Sequence, residues 1–239
     1  VAFIVPAGVS CVTAEVWGGG GGGAGTVSGC NPEMCSFGPP GGAGAYVVRC
    51  LNNVSEADRF DFVVGNANNC AFGCQGCHGC FSCVCGPDTQ LCAQGGGNGF
   101  AWCNWGTGNM CCSENNATAY GGDINIDGKP GKYCSKCVCT DGWRYDQIFI
   151  PYPGGINNLC GGWVQQAHEN SSSCVICNYE IICKAGEMLE GLGSSSSFCH
   201  GYIPGMGHAS WTHFCECQCY CNCECGGPGN PGMVRITYK

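Results

Sequence analysis

Charge is what this sequence lacks most. Asp, Glu, Lys and Arg make up 11% of its 239 residues, against roughly 25% in an ordinary globular domain. Long amphipathic helices need a charged outer face, and this chain has few residues to build one. Basic residues are scarcer still, with nine Lys and Arg against 17 Asp and Glu. That balance argues against a nucleic-acid partner, because phosphate binding relies on clustered cations. No apolar run reaches the ~18 residues of a membrane-spanning helix, so no membrane span is expected. Catalytic signatures are missing as well. There is no HExxH and no GxSxG, and the pairs Gly128-Lys129 and Gly131-Lys132 lack both the upstream Gly and the following Ser or Thr of a phosphate loop. With no residue pattern marking a catalytic site, the chain reads as non-enzymatic.

What the sequence has in excess is cysteine and glycine, 28 and 43 residues respectively. Cysteine above about 8–10% of a short chain signals a disulfide scaffold, and such a scaffold belongs in an oxidising compartment. An extracellular or virion-surface location is the expectation. The chain opens on Val1 with neither Met nor the basic and apolar regions of a signal peptide, which fits a processed or excised chain. Three Asn-x-Ser/Thr sequons, at Asn53, Asn116 and Asn170, are candidate glycosylation sites and give weak further support to secretion.

Alternation and turn chemistry predict an all-β chain. Val1–Val5 and Val9–Trp17 read as two strands around Pro6-Ala7-Gly8. In the second, Val12, Ala14 and Val16 share one face and Thr13, Glu15 and Trp17 the other. Further strands are expected near Gly41–Val48, Arg59–Val64, Asp123–Ile126, Gln147–Ile150, Val175–Cys183 and Met233–Tyr238, with short helices conceivable only at Gly162–Asn170 and Lys184–Leu192. Six consecutive glycines, Gly18–Gly23, follow the second strand directly. Composition alone reads them as a linker, whereas their position between two strands favours extended left-handed helices packed backbone to backbone. The expected organisation is a single glycine-rich β domain with cysteine-rich insertions at about 66–120, 130–145 and 160–225.

The cysteines fall in blocks. Cys70, Cys74, Cys77, Cys80, Cys83 and Cys85 form the first, Cys134, Cys137 and Cys139 the second, and Cys174, Cys177 and Cys183 the third. In the last, Cys215, Cys217, Cys219, Cys221, Cys223 and Cys225 alternate without a break. Extended, that stretch puts its sulfurs on one face, too far apart to bridge each other, so a second row is needed. The Cys70–Cys85 block is one source, with connectivity left open. Metal binding is the rival reading. Cys-x-Cys and Cys-x-x-Cys spacings suit zinc or copper(I), and His208, His213 and Cys215, with Cys77-His78, make a conceivable cluster. Metal-buffering chains are Lys-rich and poor in aromatics, unlike this one with six Trp, nine Tyr and ten Phe, so no metal site is assigned. Asp123, Asn125 and Asp127 match the start of a calcium loop, but its twelfth position is Cys134 rather than Glu. A strand with Ile124 and Ile126 pointing inward and a turn at Asp127-Gly128 explains the same residues, and no cofactor is expected. Trp102, Trp105, Trp163 and Trp211 in glycine-rich loops suit either carbohydrate stacking or coverage of disulfides.

Several words of the sequence share a family pattern. Phe3-Ile4-Val5-Pro6-Ala7-Gly8-Val9, Ala14-Glu15-Val16-Trp17, Gly18–Gly23, Gly41-Gly42-Ala43-Gly44-Ala45-Tyr46-Val47, Asp61-Phe62-Val63-Val64-Gly65, Gly121–Gly128 and Pro231-Gly232-Met233-Val234-Arg235-Ile236-Thr237-Tyr238 resemble, in the same order, the glycine-rich domain of bacteriophage tail-fibre and related virion structural proteins. The resemblance implies a sandwich-like strand framework with polyglycine segments beside it, exposed on a fibre or tail and engaged in assembly or surface adhesion. The cysteines depart from that pattern. Self-association, other structural subunits or a cell-surface glycan are the partners it suggests.

Overall fold

The computed structural model describes residues 1–23, 41–66, 76–99, 117–128 and 229–239, together with the backbone of 132–134, 144–150, 162–171 and 174–176. Among these residues the chain is built of strands and contains no helix. Strand β1 (Ala2–Ile4) pairs antiparallel with β4 (Arg59–Val63), which continues through β5 (Ser82–Gly86) and β6 (Thr89–Ala93) to β7 (Ala119–Tyr120). A second antiparallel sheet has the order β13 (Met233–Tyr238), β2 (Cys11–Trp17), β3 (Tyr46–Asn52), β8 (Ile124–Ile126). A further antiparallel set runs β12 (Cys174–Ile176), β11 (Gly162–Ser171), β10 (Arg144–Ile150), β9 (Lys132–Cys134).

The first two sheets share one apolar layer. The alternation along β2 sends Val12, Ala14 and Val16 inward, each fully buried, while Cys11, Thr13, Glu15 and Trp17 stay partly exposed. Val47 of β3, Val84 of β5, Leu91 and Ala93 of β6 and Phe60 of β4 close the layer from both sides. Val234 and Ile236 pack against it as the alternation of β13 expects, while Tyr238 is half-exposed. Burying such a side chain contributes about 1.5–3 kcal/mol, so this layer is the main apolar support of the described fold.

Three of the strands adjoin a second structure built from glycine-rich segments. Beyond β2, Gly18 donates to Ala45 O (2.9 Å), Gly19 to Cys80 O (2.9 Å) and Gly20 to Asn230 O (2.8 Å). The cycle then repeats, with Gly21 donating to Gly42 O (2.9 Å) and Gly22 to Cys77 O (2.8 Å). In a β-strand successive amides alternate between two neighbours. Here they rotate through three, the signature of an extended helix with three residues per turn. Its neighbours are 41–45, 76–80 and 229–230, and 94–99 donates back through Gly96 to Gly19 O and Gly99 to Gly22 O. Such close packing excludes side chains: a Cβ on Gly21 would lie 1.9 Å from Gly97 O, and one on Gly18 2.0 Å from Gln94 O. The six-glycine run is therefore the hydrogen-bonded centre of a backbone bundle and not a linker.

Several expectations change. Gly162–Asn170, considered for a helix, lies in β11, which pairs with β10 from Ile150↔Gly162 to Arg144↔His168. The helix-forming bias of its Gln, Ala and Glu residues is weak and yields to a long cross-strand register. Strands β5 and β6, from within the 66–120 stretch, lie between β4 and β7 in the first sheet. Ile124 and Ile126 do not point inward. They pair with Val48 and Tyr46, neighbours of the core-facing Val47, and so lie on the outer face, where Ile124 is 55% exposed. No described helix is long and apolar enough to cross a membrane.

Candidate functional site

The junction between sheet and bundle carries the most developed side-chain cluster. Strand β2 ends at Trp17 where the glycines begin, β3 begins at Tyr46 just after Ala45, and β13 begins at Met233 just after Gly232. Register places Arg235 opposite Glu15 and Tyr46 opposite Trp17 on the outer face. The Arg235 guanidinium makes a two-point ion pair with the Glu15 carboxylate through Nε and Nη2, and the Tyr46 hydroxyl donates to Glu15 Oε1 at 2.9 Å. The Trp17 and Tyr46 rings lie 4.9 Å apart, and the guanidinium carbon sits 5.5 Å from the Trp17 ring centre. Burial pushes the Tyr46 hydroxyl up to about 12, helped by its hydrogen bond to Glu15 and by that carboxylate's charge. The hydrogen bond to Glu15 likewise holds the Arg235 pKa above its ordinary value. Together these contacts fix three strands relative to each other at the point where they become the glycine bundle. On the inner side, buried Ser82 Oγ accepts from Gly65 N at 2.9 Å, and Gly65 O accepts from Gly232 N at 2.8 Å.

The cysteines divide by position. Cys83 and Cys92 face each other directly across β5 and β6 and are joined by a disulfide, with their Cα atoms 4.2 Å apart. Cys83 is therefore not available for a ladder to the Cys215–Cys225 row, and its partner Cys92 belongs to no sequence block. Only the cross-strand register reveals that pair. Cys77 and Cys80 lie in the bundle segment 76–80, where their carbonyls receive Gly22 and Gly19. Their Cys-x-x-Cys spacing there is the three-residue turn of the glycine helix, interleaved with Gly76 and Gly79. Cys85 is exposed on the outer face opposite Asp61. Cys11 and Cys50, which no sequence block contains, bring their sulfurs to 3.4 Å on the outer face of β2 and β3. Cys134 and Cys174 lie in β9 and β12, opposite Gln147 and Ser171. Cys70, Cys74, Cys137, Cys139, Cys177, Cys183 and Cys215, Cys217, Cys219, Cys221, Cys223 and Cys225 lie outside the described residues, as do Asn116, His208, His213, Trp102, Trp105 and Trp211. Trp163 and Asn170 are placed by their backbone in β11.

The three residues that matched a calcium loop do not converge. Asp123 accepts from Cys50 N (2.8 Å), Asp127 accepts from Ala119 N (3.0 Å), and Asn125 exchanges hydrogen bonds with the Gly122 backbone. In each side chain one oxygen accepts from a backbone amide, and the two aspartates thereby tie the ends of β8 to its neighbours. Among the described residues no group of three or more His, Cys, Asp or Glu is placed to hold a metal ion. Asn53 sits exposed in a turn with φ +66°, its amide donating to Ser10 O at 3.0 Å, a position from which a glycan would project into solvent. No known family model matches this chain, and no curated protein sequence matches it either.

Proposed function

We propose that this chain is a non-enzymatic structural subunit of an extracellular assembly, such as a virion appendage, a decoration protein or a secreted fibre, stabilised by disulfides. The observation that carries the reading is the glycine bundle. It is held by backbone hydrogen bonds between glycine-rich segments that continue the strands, with few side chains inside it. The Cys83–Cys92 bridge and the excess of cysteine fit an oxidising location. The sandwich-like framework and the family resemblance of both ends agree with exposure on a fibre or tail.

Assembly would proceed through strand edges. Among the described strands β1 pairs only with β4 and β13 only with β2, and Phe3 and Tyr238 bring these two edges together with rings 5.5 Å apart. Val1 and Ile4 on β1 are 91% and 60% exposed. An unpaired edge is a template for another chain. Removing Val1–Val5 would also take Val5 out of the core, so Ile4→Lys is the cleaner perturbation. Sedimentation velocity over a wide concentration range should find defined oligomers of the oxidised wild-type chain and monomers of Ile4→Lys. A wild-type chain that stays monomeric throughout would overturn the assembly reading.

A further inference from the structure

Two thiols outside every sequence block are brought together by the pairing of β2 and β3. We infer that Cys11 and Cys50 form a reversible dithiol–disulfide couple on the outer face of the four-stranded sheet, distinct from the Cys83–Cys92 bridge. Their sulfurs lie 3.4 Å apart, so closing to a covalent bond of roughly 2.05 Å needs an approach of about 1.4 Å. Both side chains face away from the core. Cys50 is exposed and Cys11 partly so, and a small-molecule disulfide can reach them.

Register separates this pair from the other. Cys83 and Cys92 are directly opposite, whereas Cys11 lies opposite Asn52 and Cys50 opposite Thr13. The pair is thus diagonal, and diagonal positions stand roughly 7–8 Å apart at Cα, beyond the roughly 4.4–6.8 Å that a relaxed disulfide spans. Closure must draw β2 and β3 together, and a bridge under that tension is more readily reduced than an unstrained one. The thiol pair rests in contact, with the Cys11 pKa raised chiefly by its hydrogen bond to Cys50, and Thr13 Oγ1 donates to the Cys50 sulfur at 3.8 Å.

The oxidant is a small-molecule disulfide of the glutathione class. The exposed Cys50 thiolate attacks one of its sulfurs, forming a mixed disulfide as one thiolate leaves and takes up a proton. Cys11 then loses its proton to solvent and attacks the Cys50 sulfur, expelling the second thiolate. Two protein thiols and one small disulfide thereby become one protein disulfide and two small thiols. The bridge clips the first residue of β2 to β3 at the end remote from the glycine bundle, beside the turn where Asn53 N meets Ser10 O.

The test is a glutathione redox titration of the full chain, quenched by alkylation and mapped by mass. Cleavage after Glu, Lys and Arg releases Val1–Glu15 and Cys50–Glu56, each with a single cysteine. A parallel chymotryptic digest follows Cys83–Cys92. The two peptides should be linked in oxidising buffer and separate as the reduced-to-oxidised glutathione ratio is raised. Cys11→Ser should stop at a Cys50–glutathione adduct. The inference fails if the peptides remain unlinked in oxidising buffer, if either sulfur is found joined to another cysteine, if the link survives the most reducing glutathione ratio, or if Cys11→Ser gives no adduct. The outcome is independent of oligomeric state, so it can succeed or fail without touching the assembly reading.

Discussion

Replacing Gly21 with alanine puts a methyl group where the Gly97 carbonyl already stands, 1.9 Å from its oxygen. Ordinary contact begins beyond 3.4 Å, so segments 18–22 and 94–99 must separate by more than an ångström or the chain must twist away. Forced overpacking of this kind costs about 1–3 kcal/mol. The shift also loosens the Gly21 N to Gly42 O and Gly42 N to Gly97 O bonds, each worth about 0.5–1.5 kcal/mol. Against this, alanine restricts the unfolded chain and stabilises by about 0.4–1 kcal/mol. The net expectation is a loss near 2 kcal/mol, within a range of about 1–4 kcal/mol. The three-residue turn sharpens the prediction. Gly18 faces the same neighbour, its added Cβ falling 2.0 Å from Gln94 O, whereas a Cβ on Gly19 would stop 3.2 Å from the carbonyls of Asn66 and Cys80. Gly18→Ala should match Gly21→Ala, and Gly19→Ala should stay within about 1 kcal/mol of wild type because the unfolded-state gain offsets a mild crowding. Urea midpoints with disulfides intact, converted through a common slope, measure all three. Equal effects at Gly18, Gly19 and Gly21, or stabilisation by Gly21→Ala, would refute the backbone bundle.

Other consequences are open to measurement. Opening the Cys83–Cys92 bridge by Cys83→Ser with Cys92→Ser releases a loop closed over a sequence separation of 9, and chain entropy puts the loss at about 2.5 kcal/mol, to be read from the same urea midpoints. Tyr46 carries a folded pKa of about 12 against an ordinary 10.0. It therefore favours the folded state while its hydroxyl keeps its proton, and this contribution fades as pH climbs from 10.0 towards about 12. Ultraviolet titration of tyrosinate should show one late-ionising residue that disappears in Tyr46→Phe. Arg235→Ala removes the two-point pair with Glu15 from a half-exposed position, so screening limits the loss to about 1 kcal/mol. Thermal unfolding at low and high salt should find the wild type, but not the variant, weakened by salt.

How much of this was legible depended on whether a residue's pattern had one physical cause. In β2 it did: Val12, Ala14 and Val16 alternate with polar partners, and the structure buries all three fully. Met233–Tyr238 was legible for the same reason. In β5 the cysteines hid the signal. Ser82 and Val84 are buried, but Cys83 and Cys85 beside them read as part of a disulfide block, not as the more exposed face of a strand. The spacing of Cys77 and Cys80 read as disulfide-forming or metal-ligating, and its match to the three-residue repeat shows only in the hydrogen bonds that Gly22 and Gly19 donate to their carbonyls. Cys11 and Cys50 carry no local pattern. Their sequence separation of 39 is closed by strand pairing, which composition and spacing do not encode.

The glycine bundle also changes what a protease can do with this chain. A protease grips its substrate as an added strand, pairing with its main chain and seating side chains in pockets. Gly18–Gly22 presents no side chain to seat, and each of its amides already donates to a neighbouring segment. To be cut there, the segment must first leave partners on three sides at once. The part of the sequence that composition would mark as the easiest to sever is thereby the part an enzyme finds hardest to hold.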